Sequence, residues 1–297
     1  MPKGAIKYIV GGSLVLLGIS FMVIAFCIGG ASAFNNGLHF GLGSNNVYID
    51  WRGLHVYPKN YQAELEGEIT DMENIKNLKV DFDYGEMTIK TGDVDEIKIN
   101  AHNVIQERFK YNVNGGTMTI KYDRGFNISF FGGFSASSDT KIEIIIPEAM
   151  TFEKVDIENG AGRMTVTRIT ADKLNVENGA GEMIVNNTTV RGKLDIDGGV
   201  GAITIYDTVC GGIDADIGVG QLTFTGEVNG DGKIDSGVGA VYMTLYGDRD
   251  DYDFITDSGI GKVTTPGSNS SAKYTFKVSS GIGEVRITMA NPVDPTT

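Results

Sequence analysis

The chain has 297 residues, 38 acidic against 25 basic side chains, and a formal net charge of −13. That balance excludes nucleic acid as a partner, because nucleic acid demands a basic footprint, and it opposes electrostatic adhesion to anionic lipid. Glycine reaches 41 residues, roughly twice its usual share of ~7%, and two cysteines cannot supply a disulfide framework.

Tyr8 to Ile28 is an uncharged stretch of 21 residues. At about 1.5 Å per residue it spans a hydrocarbon core of ~30 Å. Lys3 and Lys7 precede it and the next basic residue is Arg52. The positive-inside bias therefore predicts a single-pass membrane protein with residues 1–7 in the cytoplasm and everything after residue 28 outside. A cleaved signal peptide is the competing reading, with Ala31-Ser32-Ala33 as the small-residue cleavage pattern and a secreted product beginning beyond Ala33. Signal h-regions run ~7–15 residues, so the longer stretch favours a retained anchor. Phe26 before Cys27 does not fit a lipoprotein signal.

Residues 29–67, rich in Gly and Asn without sustained periodicity, read as a juxtamembrane spacer. A β-repeat domain is expected over 68–290, with a short tail at 291–297. Within it, Leu78 to Ile89 alternates apolar and polar residues around Gly85. Three further β-rich runs follow: Glu96 to Asn100, Thr117 to Lys121 and Lys141 to Ile146. Gly125 to Ser138, with four phenylalanines among Gly and Ser, reads as a mobile loop.

From Thr151 to Thr288 a Gly-x-Gly triplet recurs seven times, beginning at Gly160, Gly179, Gly199, Gly218, Gly237, Gly259 and Gly281. We number these units 1 to 7. A fixed period near 20 marks a stacked repeat architecture. Apolar residues alternate before each triplet (Val155 and Ile157, Leu174 and Val176, Leu194 and Ile196) and after it (Met164 and Val166, Met183 and Val185, Ile203 and Ile205). That is the period of half-buried strands, and glycine between them suits positive φ or close backbone approach. Leu78 to Ile89 aligns without gaps on Leu174 to Val185 and is an outlying eighth copy. Gly232 stands where an apolar residue is expected, and Thr265 does the same later. The expected fold is all-β, a β-solenoid or β-helix-like stack of ~20-residue units. An antiparallel β-sandwich of hairpins is the alternative.

The residue two before each triplet is acidic in Glu158, Glu177, Asp197, Asp216, Asp235 and Asp257, and Asp81 is its equivalent in the outlying copy. Alternation puts this column on the solvent face. Like charges stacked near 5 Å would cost about 0.9 kcal/mol per pair even in bulk water. Two explanations compete. The carboxylates bind a cation or polycation, or each accepts N–H bonds from its own glycine turn, as Asx residues do. The second is favoured because the position is tied to the turn.

Glu227 to Val238 echoes an EF-hand loop but has valine where the bidentate acid belongs. Gly198 to Ile203 echoes a calcium-binding nonapeptide with isoleucine in place of its aspartate. Asp248, Asp250, Asp251 and Asp253 form the one cluster dense enough to be considered for metal, with a solvated charge run as the default. His39, His55 and His102 are isolated and lack zinc spacing. No nucleophile elbow or phosphate-binding loop occurs. No catalytic residue and no cofactor is expected.

The run Ile146 to Gly162, continued by Ala171 to Gly181, resembles the "putative adhesin" family of bacterial β-strand-repeat extracytoplasmic proteins, a domain family of unknown function. The resemblance covers about Ile75 to Ile287. It implies an extracytoplasmic β-repeat domain behind one N-terminal anchor, in a family whose members occur beside envelope-stress signalling systems. It implies no catalytic residues. The expected role is a binding, adhesin-like or scaffold surface in the cell envelope, with a cell-wall or surface glycan or an envelope protein as partner. A carbohydrate-active enzyme on a β-helix and an envelope-stress sensor or modulator are the alternatives.

Overall fold

A computed structural model describes residues 38–42, 45–50, 53–58, 63–70, 72–123, 126–127 and 140–290. The apolar 8–28 span and the 291–297 tail lie outside them. Among the described residues, no helix is long and apolar enough to cross a membrane.

The chain divides into two compact units, with the larger one beginning at Gln62. The smaller contains an antiparallel sheet of Leu38–Leu42, Asn45–Asp50 and Gly53–Pro58, joined by Phe126–Asn127, which runs parallel to the first. Residues expected to be spacer thus carry ladder-forming strands, and the repeat domain starts at 62 rather than 68. The physical reason lies in Ala63–Ile69, which pairs antiparallel with Ile97–Val104 and so belongs to the larger sheet. Of the expected mobile loop, only Phe126–Asn127 is described.

In the larger unit, each repeat is two strands joined at the glycine triplet. Phe152–Asn159 leads to Arg163–Thr167, and Thr170–Asn178 leads to Glu182–Asn186. Equivalent strands of successive units pair parallel and in register: Val155 with Leu174, Leu174 with Leu194, Met164 with Met183, Met183 with Ile203. This is a solenoid. Hairpins of a sandwich would pair antiparallel, so that alternative is set aside. In-register stacking follows from the pattern, since a one-residue slip would turn every apolar side chain outward. Val155, Ile157, Met164, Val166, Leu174, Val176, Met183 and Val185 are all buried in one continuous core.

The outlying copy pairs directly with unit 1, Leu78 with Val155 and Met87 with Met164. The expected β-rich runs continue the stack in the larger sheet. Thr117–Tyr122 runs parallel to Asn77–Phe82, and Lys141–Pro147 runs parallel to Glu86–Gly92.

At the other end the order of stacking departs from the order of sequence. The first strand of unit 5, Gly232–Ser236, pairs with Tyr274–Ser280 of unit 7, which pairs in turn with Tyr252–Ser258 of unit 6. The second strands repeat the exchange, Ala240–Tyr246 with Glu284–Ala290, and that with Lys262–Thr264. Unit 6 is therefore the terminal rung, and unit 7 is inserted beneath it. Phe276 of unit 7 faces Gly232 of unit 5, and any side chain at Gly232 would collide with that ring. The glycine that looked like a gap in the apolar pattern is the seat of a buried aromatic from the next rung. Phe276 packs on Phe254 and Tyr252, with ring centroids 5.5 and 5.6 Å away.

Candidate functional site

The corner made by the stacked triplets is the most regular feature of the surface. Its backbone is satisfied between rungs. Gly179 N donates to Asn159 O at 2.8 Å, Ala180 N to Gly160 O at 2.7 Å, and Val219 N to Gly199 O at 2.9 Å. None of the fourteen triplet glycines has a positive φ. Glycine is needed here for close approach. A Cβ on Gly201 would overlap the carbonyl oxygen of Gly181, and one on Gly239 would overlap that of Gly220.

The residue immediately before the triplet points inward and closes the corner. Asn159 Nδ2 donates to Gly162 O at 3.0 Å and to Asn178 Oδ1 at 2.7 Å, and Asn178 Nδ2 donates to Gly181 O at 2.9 Å. Ser236 and Ser280 bridge their own triplets in the same way, to Gly239 O and Gly283 O. All four are buried. At unit 3 the position is Gly198, and the side chain of Ile217 from the next rung fills the space.

The acidic column is assembled as the alternation requires. Asp81 pairs with Glu158, then Glu177, Asp197, Asp216 and Asp235 follow in register. Ser279 comes next and Asp257 lies one rung beyond, because of the exchange of units 6 and 7. The expected turn-capping role is corrected. The first two N–H groups of each triplet donate to carbonyls of the neighbouring rung, and none of these carboxylates accepts from its own turn among the described residues. Buried Asn159, Asn178, Ser236 and Ser280 do the bridging one residue later. Sequence reasoning missed them because Asn-Gly and Ser-Gly read simply as turn dipeptides.

The two ends of the file are neutralised. Lys121 Nζ lies 2.5 Å from Asp81, while Lys233 and the Ser279 hydroxyl hold Asp235 and keep its carboxyl below the usual range. In the middle, desolvation and then the like charges of Asp81 and Glu177 push Glu158 upward. Glu177, Asp197 and Asp216 form no hydrogen bond or ion pair among the described residues. The neighbouring outward file is balanced by contrast. Lys154 pairs with Asp156, Lys173 and Lys193 with Asp195, and Lys193 with Asp214.

The aspartate cluster after unit 5 is structural. Asp248 caps a short 3-10 turn through Asp250 N, Asp251 pairs with Lys273 at 2.8 Å, and Asp253 accepts from Asn269 N at 2.7 Å. Arg249 donates to the carbonyls of Tyr252 and Gly267, tying down the loop that leads back to unit 7. Among the described residues no group of His, Cys, Asp or Glu converges as a metal site. Asp231 of the EF-hand echo accepts from Thr275 N, and Cys210 is a free, buried thiol pushed up to about 12 by burial.

A shallow cleft of about 360 Å³ is lined by Glu64, Glu86, His102, Lys141 and Glu143 on the larger sheet. Its charges answer one another. His102 lies 2.6 Å from Glu64, and Lys90, 2.7 Å away, holds the Glu143 carboxyl low with help from Asn100.

A comparison with curated proteins returns no match. Among solved structures, the chain is similar to a "putative adhesin" from Bacteroides fragilis, at 14% identity and TM-score 0.42, covering 76% of this chain and 97% of that one. A "putative cell adhesion protein" from Clostridium sporogenes matches at 15% identity and TM-score 0.33, covering 77% of this chain and 100% of that one. A "putative lipid binding protein" from Parabacteroides distasonis matches at 14% identity and TM-score 0.41, over 77% and 97%. The family model described as Toastrack DUF4097 matches residues 75–293, which are the stacked repeats, the insertion after the outlying copy and three residues beyond the last strand. The chain belongs to the Toastrack DUF4097 family.

Proposed function

We propose that this is a single-pass envelope protein, cytoplasmic at its N-terminus, whose extracytoplasmic solenoid is a binding or scaffold surface and performs no reaction. The observation that carries this reading is the file of Glu177, Asp197 and Asp216. These carboxylates stack in register and neither cap a turn nor pair with a cation. A repulsive file costs about 0.9 kcal/mol per neighbouring pair by the water-limit Coulomb estimate. The fold does not use it, so a partner is the remaining physical reason to keep it. The uncharged 8–28 span and the lysines before it support the anchor.

The test is a screen of the full-length protein, reconstituted in lipid nanodiscs, against cell-wall glycans and envelope polypeptides, with analysis of products. Binding without turnover is expected. Release of shortened glycan would overturn the reading in favour of a carbohydrate-active enzyme. A membrane partner retained only when residues 1–30 are intact would turn the role toward a sensor or modulator.

A further inference from the structure

The middle residue of each triplet forms a second outward file, next to the acidic one. In stacking order it reads Tyr84, Ala161, Ala180, Val200, Val219, Val238, Ile282 and Ile260, each N–H from Ala161 onward donating to a carbonyl of the rung before. Five of these are large apolar side chains open to solvent: Val200 at 58%, Val219 at 57%, Val238 at 54%, Ile282 at 62% and Ile260 at 88%. The turn does not need them, because it closes with alanine at units 1 and 2. Scattered exposed valines are ordinary, but an unbroken file is an apolar patch with a use.

We infer that this ridge docks a cationic amphipathic helix, supplied by an envelope polypeptide, lying along the solenoid axis. The inference rests on the binding-surface reading and names its partner class. Spacing selects a helix. Successive ridge side chains are one rung apart, about 4.8 Å, so the five span roughly 19 Å. A helix repeats its apolar stripe every turn, about 5.4 Å, and stays within about half a rung over that length. An extended strand repeats one face every ~6.7 Å and loses register within two or three rungs.

Charge selects the sign. Three residues upstream of Val200 and Val219 stand Asp197 and Asp216, which have no partner. Two residues downstream the flank is uncharged at units 3 to 5: Ala202, Gln221 and Ala240. Basic side chains along one edge of the stripe would meet the free carboxylates. A second copy would bring its own acidic file against this one. It would also have only five apolar side chains to bury, where a stable interface uses about 20–30 residues a side. An anionic bilayer is repelled by the same carboxylates.

The probe is a 14-residue Leu/Lys peptide with Leu at helical spacing, titrated by fluorescence anisotropy into nanodiscs of zwitterionic lipid holding the full-length protein. Empty discs give the background. Saturable binding is expected, weakened at least tenfold by Val219→Ser with Val238→Ser, and at least fivefold by Asp197→Asn with Asp216→Asn. All four positions face outward, so melting temperatures should hold and separate lost docking from lost folding. Several results would overturn the inference: no binding, equal binding of a sequence-scrambled Leu/Lys peptide, equal binding of a Leu/Glu peptide, or binding unchanged by the valine substitutions. Self-association abolished by those substitutions would give the ridge to a second copy instead. Quenching of a Val219→Trp variant by brominated acyl chains of the disc, beyond that of wild type, would give it to the bilayer. Glycan binding with no peptide binding would sink this inference and leave the broader reading standing.

Discussion

At the level of single residues, two members of the acidic file are shifted in opposite directions. Glu158 is raised by desolvation first and by Asp81 and Glu177 next. A carboxyl raised in the fold contributes stability below its unfolded value, near 4.5, and loses that contribution as pH rises through the folded value. Glu158→Gln should therefore leave the melting temperature at pH 7 unchanged or raised, with the difference vanishing at pH 3. Asp235 is lowered by Lys233 and then by Ser279. Its contribution is present above about 3.8 and is lost as pH falls through the folded value. Asp235→Asn should lower stability at pH 7 by less than about 1 kcal/mol, because the pair is half-exposed, with a small drop in melting temperature that shrinks in acid. Melts of both variants at the two pH values check the signs. The corner makes a sharper contrast. Asn178→Ala removes a buried bridge to Gly181 O and one of the acceptors of the Asn159 amide, and should cost about 1–3 kcal/mol. Glu177→Gln, one residue earlier on the outer face, should stay within about 0.5 kcal/mol. Equal losses in denaturant titrations would contradict the division of labour between the two positions.

Among the strands and corners, the sequence carried the inward and outward assignment in full, because a period of two admits only one register once Val176, Met183 and their counterparts are buried. It carried three of the insertion strands for the same reason, but not Phe109–Asn114, which is mostly exposed and pairs antiparallel with Thr117–Tyr122. The reason for glycine was left open between positive φ and close approach, and only the stacked backbones decide it. Gly201 and Gly218 mark the tighter and the looser end of that close approach. A Cβ on Gly201 would overlap Gly181 O, whereas one on Gly218 would sit 3.1 Å from Gly199 O. Gly201→Ala should cost about 1–3 kcal/mol or more as overpacking, and Gly218→Ala clearly less, measured by thermal unfolding. The gap at Gly232 was visible in the sequence, but its filling was not. Phe276 is 44 positions away, and nothing local announces that its ring lies over that glycine. Phe276→Ala should cost about 3–5 kcal/mol, because it removes a fully buried ring that packs on Phe254 and Tyr252 and leaves a cavity over Gly232.

For the molecule as a whole, the stack turns a 20-residue motif into two long outward files, one acidic and one apolar. The acidic file was legible from its spacing. The apolar file was present in the triplets as a progression from alanine to valine to isoleucine, but it gains meaning only once the corner is seen to project outward. The exchange of units 6 and 7 was not legible. The lengthened intervals of 22 residues after Gly237 and Gly259 mark longer excursions without saying where they return. Aromatics at both Phe254 and Phe276 could have covered Gly232, so local chemistry left the order undecided. That order decides how both files end, since it puts Ser279 between Asp235 and Asp257, and Ile282 between Val238 and Ile260. Cysteine cross-linking reads it directly, because paired positions in register lie within the 4.4–6.8 Å Cα range of a disulfide and positions two rungs apart do not. Under mild oxidation, with joined peptides identified by mass spectrometry, Asp235→Cys with Ser279→Cys should cross-link readily. Asp235→Cys with Asp257→Cys should not. The reverse outcome would mean that the units stack in sequence order, and would contradict the architecture on which both files depend.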